Sequence, residues 1–388
     1  MHFRRFLPFL SLTCAAALIT SGASFASTVT SQSSIAKLFA QVSTSVSLAS
    51  PALILMDKKT GEIIYEKDAA SSRKPASILK ILSTSVALQY LEPSSKFVTR
   101  AYLSILPRTV LLEGSFDPWM TASSFEAGKY RRAWSPYLQS KAMAALKQVN
   151  GGTVKSVNIK YSRMYAGDIS SLTKYFRLKG VVTKFEEISS SELANEKGEF
   201  VASVSSPSIA DMVKFALTWS DNLLAERLAR AGAHAAGFPM SDVGVRDSIL
   251  EMLDSLGVDP AGLDIYDGSG LSKEDRVTAS LMAQVLFKLR LNPRYDAIYE
   301  GMPIAGLTGT LEGRFFSTAP EAIGLVHAKT GTLDGTVSLA GYVDAGDREY
   351  IFVAIADRIR KGTVATDQAR NTIDHLLGKI ASPLTVAR

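Results

Sequence analysis

The sequence predicts an α/β protein of the α+β type, in which an antiparallel sheet is flanked by helices and interrupted by an inserted, smaller β-rich module. Three observations lead to this fold class. Strand-like runs occur near both ends of the 388-residue chain, helical patterns lie beside them, and the middle differs in composition. With 46% apolar residues the chain can bury a sizeable core, and its length favours two or three domains.

The first strand pair is predicted within residues 52–69, ALILMDKKTGEIIYEKDA. Two β-rich runs, ALILM and EIIYE, flank a polar turn that contains Gly61, which is a hairpin pattern. The KTG triplet at 59–61 therefore belongs to this turn. The next stretch, SILKILSTSVALQYL, has apolar residues at helical spacing and no breaker before Pro93, so a helix is predicted from near Ser77.

The C-terminal half supplies more helices and the remaining strands of the predicted sheet. Residues 206–237 indicate helices, the first with Ser208 as N-cap and Asp211 as its capping-box partner. Three strand-like runs follow, LVHAKTGT, VSLAGYVDA and EYIFVAIAD, separated by Asp-Gly and Gly-Asp turns. A helix over ATDQARNTIDHLLGKI closes the chain. One sheet built from both ends of the chain is therefore predicted.

The middle of the chain has a different character. Residues 96–200 contain many basic residues and short β-like runs such as TVLLEG and GVVTKF, but no long amphipathic helix is expected there. We interpret this segment as a reduced, inserted accessory domain. The main domain then consists of residues 27–95 and 201–388, and a signal peptide at 1–26 precedes it.

The N-terminus predicts export. Arg4 and Arg5 precede an apolar run over residues 6–19, and small residues end at Ala26, which is the order of a secretory signal peptide. A retained membrane anchor is the alternative, but the apolar run is short for a bilayer span. We expect an exported protein in the periplasm or in the extracellular space and cell wall.

Cysteine and histidine usage argues against a thiol nucleophile, a disulfide or a metal centre. Cys14 is the only cysteine and lies inside the predicted signal peptide. The four histidines, which have no ligand spacing such as HxxxH, are His2, His234, His327 and His375. We therefore expect no metal.

Positive charge is concentrated in the middle of the chain. The net charge is +6, and residues 94–200 hold 16 Lys or Arg against 9 Asp or Glu, a surplus of 7 positive charges. In an exported protein, an anionic wall polymer or membrane surface is a better expected partner than nucleic acid. A solvated basic face without a partner is the alternative. We expect no nucleic-acid partner.

A serine and a lysine are the candidate reacting groups. The chain has no GxSxG elbow and no histidine in a hydrolase context, which leaves lysine as the common base for a serine hydroxyl. Ser77 and Lys80 stand three apart at the predicted helix start, so both side chains lie on one face. Lys80 can act as a base only if burial and a neighbouring cation lower its pKa, and Lys329 is a candidate for that cation.

Short motifs in this sequence indicate a function only when they are considered together. SxxK occurs four times and SxN and KTG twice each, so none carries weight alone. The informative pattern is the order of three motifs in context. SILK at 77–80 opens a helix, SDN at 220–222 lies between helical runs, and KTG at 329–331 lies on a strand near the C-terminus.

With these motifs in this order, the chain resembles the penicilloyl serine transferases, that is, the penicillin-binding proteins and serine β-lactamases. Among them it resembles most the class C penicillin-binding proteins, the D-alanyl-D-alanine carboxypeptidase/endopeptidase family. Supporting stretches are KPASILK, SDNLLAERLAR, YDGSGLSKEDRVT, GLTGTLEGRF and HAKTGTLDGTVSLAGYV. The resemblance implies the sheet-and-helix fold of that superfamily and a transpeptidase-like main domain.

The resemblance also implies a role for each motif residue. Ser77 would be the acylated nucleophile and Lys80 its general base. Ser220 would pass a proton to the leaving group, and Asn222 would hold the substrate amide and orient Lys80. Lys329 belongs to the same catalytic set.

The KTG strand would bind the substrate. Lys329 and Thr330 would bind its terminal carboxylate, for which a cation and a hydroxyl are suited. Gly331 and Thr332 would line the same site. The backbone N–H groups of Ser77 and Thr332 would form the oxyanion hole.

The implied activity is that of a serine-type D-Ala-D-Ala carboxypeptidase, endopeptidase or both. Its substrates would be peptidoglycan stem peptides ending in D-Ala-D-Ala, β-lactams would inhibit it covalently, and no cofactor would be needed. A β-lactamase is one alternative. A non-catalytic wall-binding or penicillin-sensing protein of the same fold is another.

Overall fold

The computed structural model describes residues 31–382. The predicted signal peptide, with His2 and Cys14, lies outside the described residues. Two five-stranded sheets organise the described chain. Within residues 31–382, no helix is both long enough and apolar enough to cross a bilayer.

Residues 31–382 contain ten strands and twelve α-helices, the longest helix having 16 residues. In chain order the strands are β1 (Ala52–Asp57), β2 (Ile63–Lys67), β3 (Lys96–Ser104), β4 (Thr109–Glu113), β5 (Ser156–Ser162), β6 (Val182–Glu187), β7 (Lys197–Ser208), β8 (Val326–Leu333), β9 (Thr336–Ala345) and β10 (Arg348–Ala356). The α-helices are α1 (Gln32–Ser43), α2 (Lys80–Tyr90), α3 (Ser124–Tyr130), α4 (Ser135–Val149), α5 (Ala166–Leu178), α6 (Ser190–Glu196), α7 (Ile209–Thr218), α8 (Asn222–Ala235), α9 (Asp242–Leu256), α10 (Ala279–Arg290), α11 (Asp296–Glu300) and α12 (Thr363–Gly378).

The first sheet is antiparallel and joins both ends of the chain, which confirms the predicted fold class. Its strand order is β2-β1-β10-β9-β8. Strand β1 is buried along its whole length because helices cover both faces of the sheet. Ile54 packs in the cluster with α2, α7, α8, α9 and α10. Its neighbours Leu53 and Leu55 pack on the opposite face with α1 and α12.

The hairpin β1–β2 confirms the prediction for the first KTG triplet. The Asp57 carboxylate accepts hydrogen bonds from the backbone N–H groups of Lys59 at 2.8 Å and Thr60 at 3.0 Å. Gly61 has a φ of +74°, which glycine adopts without strain. Residues 59–61 are thus a turn that the chain's own side chain stabilises.

The second sheet is formed by the middle of the chain and has the order β6-β5-β4-β3-β7. The neighbours of β5 run parallel to it, whereas β3 is antiparallel to β4 and β7. The expectation that this segment lacks a long helix is wrong. Helix α4 has 15 residues and α5 has 13, and both cover the sheet. Parallel strands need crossover connections, which these helices provide.

The inserted segment joins the main domain where β7 passes into α7. Strand β7 runs beyond residue 200, and its last residue, Ser208, pairs with Lys96 at the start of β3. Ser208 is also the N-cap of α7, as predicted, and accepts from the backbone N–H of Asp211 at 3.2 Å. We therefore propose Ser208 as the end of the inserted segment.

Candidate functional site

The first motif lies at the start of α2. Ser77 is in a short 3-10 turn, Ala76–Leu79, that leads into this helix, and Lys80 is fully buried. Lys80 Nζ donates to Ser77 Oγ at 2.8 Å, to Asn222 Oδ1 at 2.6 Å and to the Ser269 carbonyl oxygen at 2.7 Å. These three acceptors match the three donors of an ammonium group. After loss of one proton, the Nζ lone pair can accept a hydrogen bond from the Ser77 hydroxyl.

The surroundings of Lys80 lower its pKa from 10.5 to about 8. Burial is the main cause, because it penalises the charged form. Three carboxylates act in the opposite direction, those of Asp267, Glu226 and Asp221. Lys329 is fully buried as well, and burial together with the charge of Lys80 lowers its pKa well below the usual value. The site therefore contains two lysines that give up protons more readily than exposed lysines.

The second motif occupies the turn between α7 and α8. Ser220 has a φ of +56°, a left-handed conformation that is uncommon for a residue with a side chain. The Asp221 side chain caps α8 by accepting from the Leu224 N–H at 2.9 Å. Lys329 Nζ donates to Ser220 Oγ at 2.8 Å and to the Thr330 carbonyl oxygen at 2.8 Å. The second and third motifs are thus in direct contact.

The third motif lies on β8, the edge strand of the first sheet. A side chain at Gly331 would place its Cβ 2.2 Å from Ser338 Oγ and 3.0 Å from the Ser77 nitrogen. Only glycine therefore lets β8 pass this close to the turn that carries Ser77. The sequence predicted a strand here, and the contact with Ser77 explains why the motif needs its third residue.

The outer side of β8 carries N–H groups that do not pair with β9. On that side, the Ala328 N–H donates to the carbonyl oxygen of Pro303 at 2.9 Å. Because N–H groups alternate sides along a strand, those of Thr330 and Thr332 point the same way as that of Ala328. Thr330 and Thr332 line the same cleft as Ser77.

A cleft of about 420 Å³ joins the three motifs. It is lined by Ser77, Ser220, Thr310, Gly313, Arg314, Thr330, Thr332 and Arg370. The Thr310 and Thr330 hydroxyl oxygens are 2.7 Å apart, and Arg370 Nη2 donates to Thr332 Oγ1 at 3.0 Å. Neither Thr310 nor Arg370 was predicted from the sequence as a site residue. The stretch GLTGTLEGRF contained the signal for the first, and no local pattern marked the second.

A larger groove, of about 660 Å³, lies beside the other KTG triplet. It contains two ion pairs, Lys58 with Glu349 at 2.9 Å and Arg348 with Asp57 at 2.8 Å. No serine lines this groove, and four of its charged side chains are already paired with one another. The chemistry of the three motifs therefore belongs to the smaller cleft.

The loop after α9 supports Lys80 from outside the three motifs. Asp267 accepts from the backbone N–H groups of Ser269 at 2.9 Å, Gly270 at 2.5 Å and Ser272 at 2.6 Å. This tight turn presents the Ser269 carbonyl to Lys80. No residue pattern in the DGSG stretch indicates that a backbone oxygen of this turn contacts the reactive lysine.

Gly270 permits this arrangement. It has a φ of +79°, and a Cβ at this position would lie 2.0 Å from the Ala76 carbonyl oxygen. The turn therefore packs directly against the residue before Ser77.

Among residues 31–382, no group of three or more His, Cys, Asp or Glu side chains is arranged to hold a metal ion.

Comparison with protein families decides the identity of the chain. The model of the D-Ala-D-Ala carboxypeptidase 3 (S13) family matches residues 141–380, more than half of the sequence. The chain belongs to the S13 family. A second model, described as D-alanyl-D-alanine carboxypeptidase, matches residues 39–102 of this S13 protein, which include the first motif.

Individual relatives agree with this assignment. The S13 chain is 26% identical over 385 residues to carboxypeptidase DacB of Mycolicibacterium smegmatis, with 86% of this chain and 82% of that protein covered. It is 35% identical over 163 residues to the D-alanyl-D-alanine carboxypeptidase of an Actinomadura species, covering 40% of this chain and 30% of the other. The crystal structure of penicillin binding protein 4 (dacB) from Haemophilus influenzae has the same fold, with a TM-score of 0.66 at 17% identity over 85% of this chain and 95% of that one.

Proposed function

We propose that this S13 protein hydrolyses the D-Ala-D-Ala bond of peptidoglycan stem peptides through an acyl-enzyme on Ser77. Its family makes it a serine-type D-Ala-D-Ala carboxypeptidase or endopeptidase. The observation that carries the residue assignment is the 2.8 Å contact between Ser77 Oγ and Nζ of the buried Lys80. It provides a hydroxyl and a base of lowered pKa in hydrogen-bond contact, as nucleophilic catalysis requires.

Acylation begins when neutral Lys80 takes the proton of Ser77. The Ser77 oxygen then attacks the carbonyl carbon of the penultimate D-alanine and forms a tetrahedral oxyanion. The N–H groups of Ser77 and Thr332 are the proposed donors to this oxyanion. The outward direction of the Thr332 N–H along β8 supports this role.

Collapse of the tetrahedral intermediate breaks the C–N bond and leaves an ester on Ser77. The departing D-alanine nitrogen needs a proton, which we assign to the Ser220 hydroxyl because Lys329 holds it at 2.8 Å and can replenish the proton. The proton that Lys80 took from Ser77 restores the pair of Ser220 and Lys329, which leaves Lys80 neutral. Water then attacks the ester, Lys80 takes a proton from this water, and the departing Ser77 oxygen receives that proton. Every step uses side chains of the three motifs.

Substrate orientation is the proposed role of the remaining motif residues. Lys329 and Thr330 would bind the terminal carboxylate, with Thr310 extending this polar edge through its contact with Thr330. Asn222 would hold the substrate amide through its side-chain N–H₂ group, since its Oδ1 already accepts from Lys80. Gly331 contributes by its lack of a side chain.

Release of D-alanine from a soluble D-Ala-D-Ala peptide tests this function. We expect release by the wild type, none by Ser77→Ala, and unchanged release by Ser171→Ala. Ser171 begins another SxxK sequence, but it lies exposed on α5, so it is a matched control. Rapid hydrolysis of penicillin without D-alanine release would instead establish a β-lactamase. Stable penicillin binding with neither activity would establish a sensor.

Covalent inhibition by β-lactams follows from the same geometry, because their strained amide carbonyl and carboxylate mimic the scissile amide and the peptide terminus. A similar fold, penicillin binding protein 4 of Haemophilus influenzae, has also been solved in complex with a β-lactam. We also propose export to the periplasm or the cell wall, and a division into a catalytic domain and an accessory domain that begins at residue 96. The sequence predicted the catalytic domain as residues 27–95 and 201–388, and the course of β7 supports Ser208 instead of residue 200 as the end of the accessory domain. The sequence of residues 1–26 and the wall substrate support export.

An anionic wall polymer is the partner that we propose for the accessory domain. A groove of about 570 Å³ between α4, α5 and the start of β5 is lined by three exposed lysines, Lys147, Lys155 and Lys179. None of the three forms an ion pair with a carboxylate of residues 31–382. Arg132, by contrast, donates to the carbonyls of Trp119 and Met120 and is committed to the fold.

Binding to a poly(glycerol phosphate) chain at low and moderate salt tests this partner. Replacing the three groove lysines with glutamate should abolish retention and leave penicillin acylation unchanged, and retention by the wild type should weaken as salt rises. A control triple variant, Lys37→Glu, Lys59→Glu and Lys379→Glu, changes the net charge equally at exposed sites away from the groove. Equal loss in both variants would reduce the effect to net charge, and binding only to anionic vesicles would replace the polymer with a membrane surface.

A further inference from the structure

Glu226 links the two supports of the reactive lysine. It lies on α8, one turn after Asn222, whose side-chain oxygen accepts from Lys80 at 2.6 Å. Glu226 Oε1 accepts from the backbone N–H of Gly268 at 2.9 Å. Gly268 immediately precedes Ser269, whose carbonyl accepts from Lys80 at 2.7 Å. One carboxylate therefore connects the helix that carries one acceptor of Lys80 to the turn that carries another.

The second carboxylate oxygen of Glu226 can still accept a hydrogen bond. Oε2 has no hydrogen-bond partner among residues 31–382, and its closest cation is Arg230 Nη2 at 3.8 Å. The Glu226 side chain is only 19% exposed, so water screens its charge weakly. The position is close-packed, because a Cβ on Gly268 would lie 3.0 Å from Oε2. The negative charge is therefore held in place beside the Lys80 site.

The other charges around Lys80 have different tasks. Asp267 accepts from three backbone N–H groups and shapes the turn. Asp221 caps α8. Lys329, on β8, donates to Ser220 and has its own pKa lowered by burial and by the charge of Lys80. Glu226 is the carboxylate of this set that both anchors the turn and keeps one oxygen without a hydrogen bond.

We propose that Glu226 is a positioning residue for Lys80, fixing the Ser269 carbonyl against its amine and supplying negative charge that raises the pH at which the amine loses its proton. The proposal rests on the function of Lys80 as the base. The charge of Glu226 opposes the effect of burial on the pKa of Lys80, and the same carboxylate keeps the amine aligned with Ser77. A carboxylate with both effects keeps the three hydrogen bonds of the buried lysine in place and limits the fall of its pKa to about 8.

Two variants separate the charge from the anchor. Glu226→Gln retains an oxygen that can accept from Gly268 but removes the charge. Acylation by a saturating chromogenic β-lactam should then show its acidic limb at a pH lower by at least about 0.5 unit, with a plateau rate within about threefold of the wild type. Glu226→Ala removes the anchor as well, and its plateau rate should fall at least about tenfold.

Glu251→Gln on α9 is the control, because it changes a glutamate that accepts from the Tyr90 hydroxyl on another helix. Its acidic limb should coincide with that of the wild type. An unshifted limb in Glu226→Gln, or an equal loss of rate at every pH, would overturn the proposal and leave Glu226 a structural residue.

If Glu226→Gln fails to fold, the variant Glu226→Asp tests the role of the charge instead. Because aspartate keeps the charge, we expect an unshifted acidic limb with a reduced plateau rate. A shifted limb would refute the role of charge. Persistent penicillin labelling of Ser77→Ala would instead refute the proposed function itself.

Discussion

Acylation of this S13 protein should depend on pH through Lys80, because only the neutral amine can take the Ser77 proton. With a pKa of about 8, the neutral fraction is about 1% at pH 6, about 10% at pH 7 and about half at pH 8. The rate should therefore rise about tenfold between pH 6 and 7 and level off above pH 8. An unperturbed lysine would be neutral in only about 0.03% of molecules at pH 7, roughly 300-fold fewer.

Stopped-flow acylation by a fluorescent penicillin measures this profile. The penicillin is used at saturating concentration, so that weaker penicillin binding at Lys329 does not limit the rate. The apparent pKa from the profile will belong to the interacting pair of Lys80 and Lys329. In Lys80→Arg the guanidinium stays charged across this range, so the rate should fall by about 10² to 10⁴. A flat profile, or a limb near pH 10.5, would refute the argument that burial prepares Lys80 as the base.

Two further predictions concern matched pairs of residues. Lys329→Ala should slow acylation about 10- to 100-fold through loss of a charged hydrogen-bond donor, whereas Lys59→Ala, in the hairpin turn, should leave it within about twofold. Equal losses in two folded variants would refute the choice of triplet. Gly270→Ala should lower stability by at least about 2 kcal/mol in thermal unfolding, because its Cβ would lie 2.0 Å from the Ala76 carbonyl oxygen at a φ of +79°. Gly128→Ala, with nothing within 4 Å and inside α3, should raise stability by about 0.5 to 1 kcal/mol, and equal effects would contradict the packing argument.

Elements with a local cause were predictable from the sequence. The hairpin β1–β2 depends on a turn whose residues lie within a few positions of one another. Helix α7 begins at Ser208 because a serine side chain caps it. The strand character of β8 and the position of 220–222 between two helices also agree with the sequence. The three motifs were predicted to form one site by resemblance, and the hydrogen bonds of Lys80 and Lys329 join them in space.

Features with weak or distant causes were missed. Helix α4 buries Leu138, Ala142 and Leu146 at a spacing of four, but alanine gives little hydrophobic contrast, so its apolar stripe is faint. Helix α5 buries only Leu172 and Phe176. The contact of Lys80 with the Ser269 carbonyl spans 189 residues of chain. A backbone acceptor leaves no trace in residue types, because every residue carries a carbonyl.

The sequence also could not show how the charges of the basic middle segment are used. Its surplus of 7 positive charges was visible in the sequence, but their use was not. Arg132 pairs with Glu126 at 2.9 Å and donates to two backbone carbonyls, so its charge is used within the fold. Lys147, Lys155 and Lys179 line one groove although they come from different parts of the accessory sequence. Composition predicts the sign of a surface, and only the fold separates free charges from those that are already paired.

The central claim is that Ser77 is the acylated nucleophile. Mass spectrometry of the mature protein after incubation with benzylpenicillin tests it most directly. The account predicts one penicilloyl adduct per chain, in the proteolytic peptide that contains Ser77, and no adduct in Ser77→Ala. An adduct at Ser34 or Ser171, which begin other SxxK sequences, or a chain without any adduct at saturating penicillin, would contradict it.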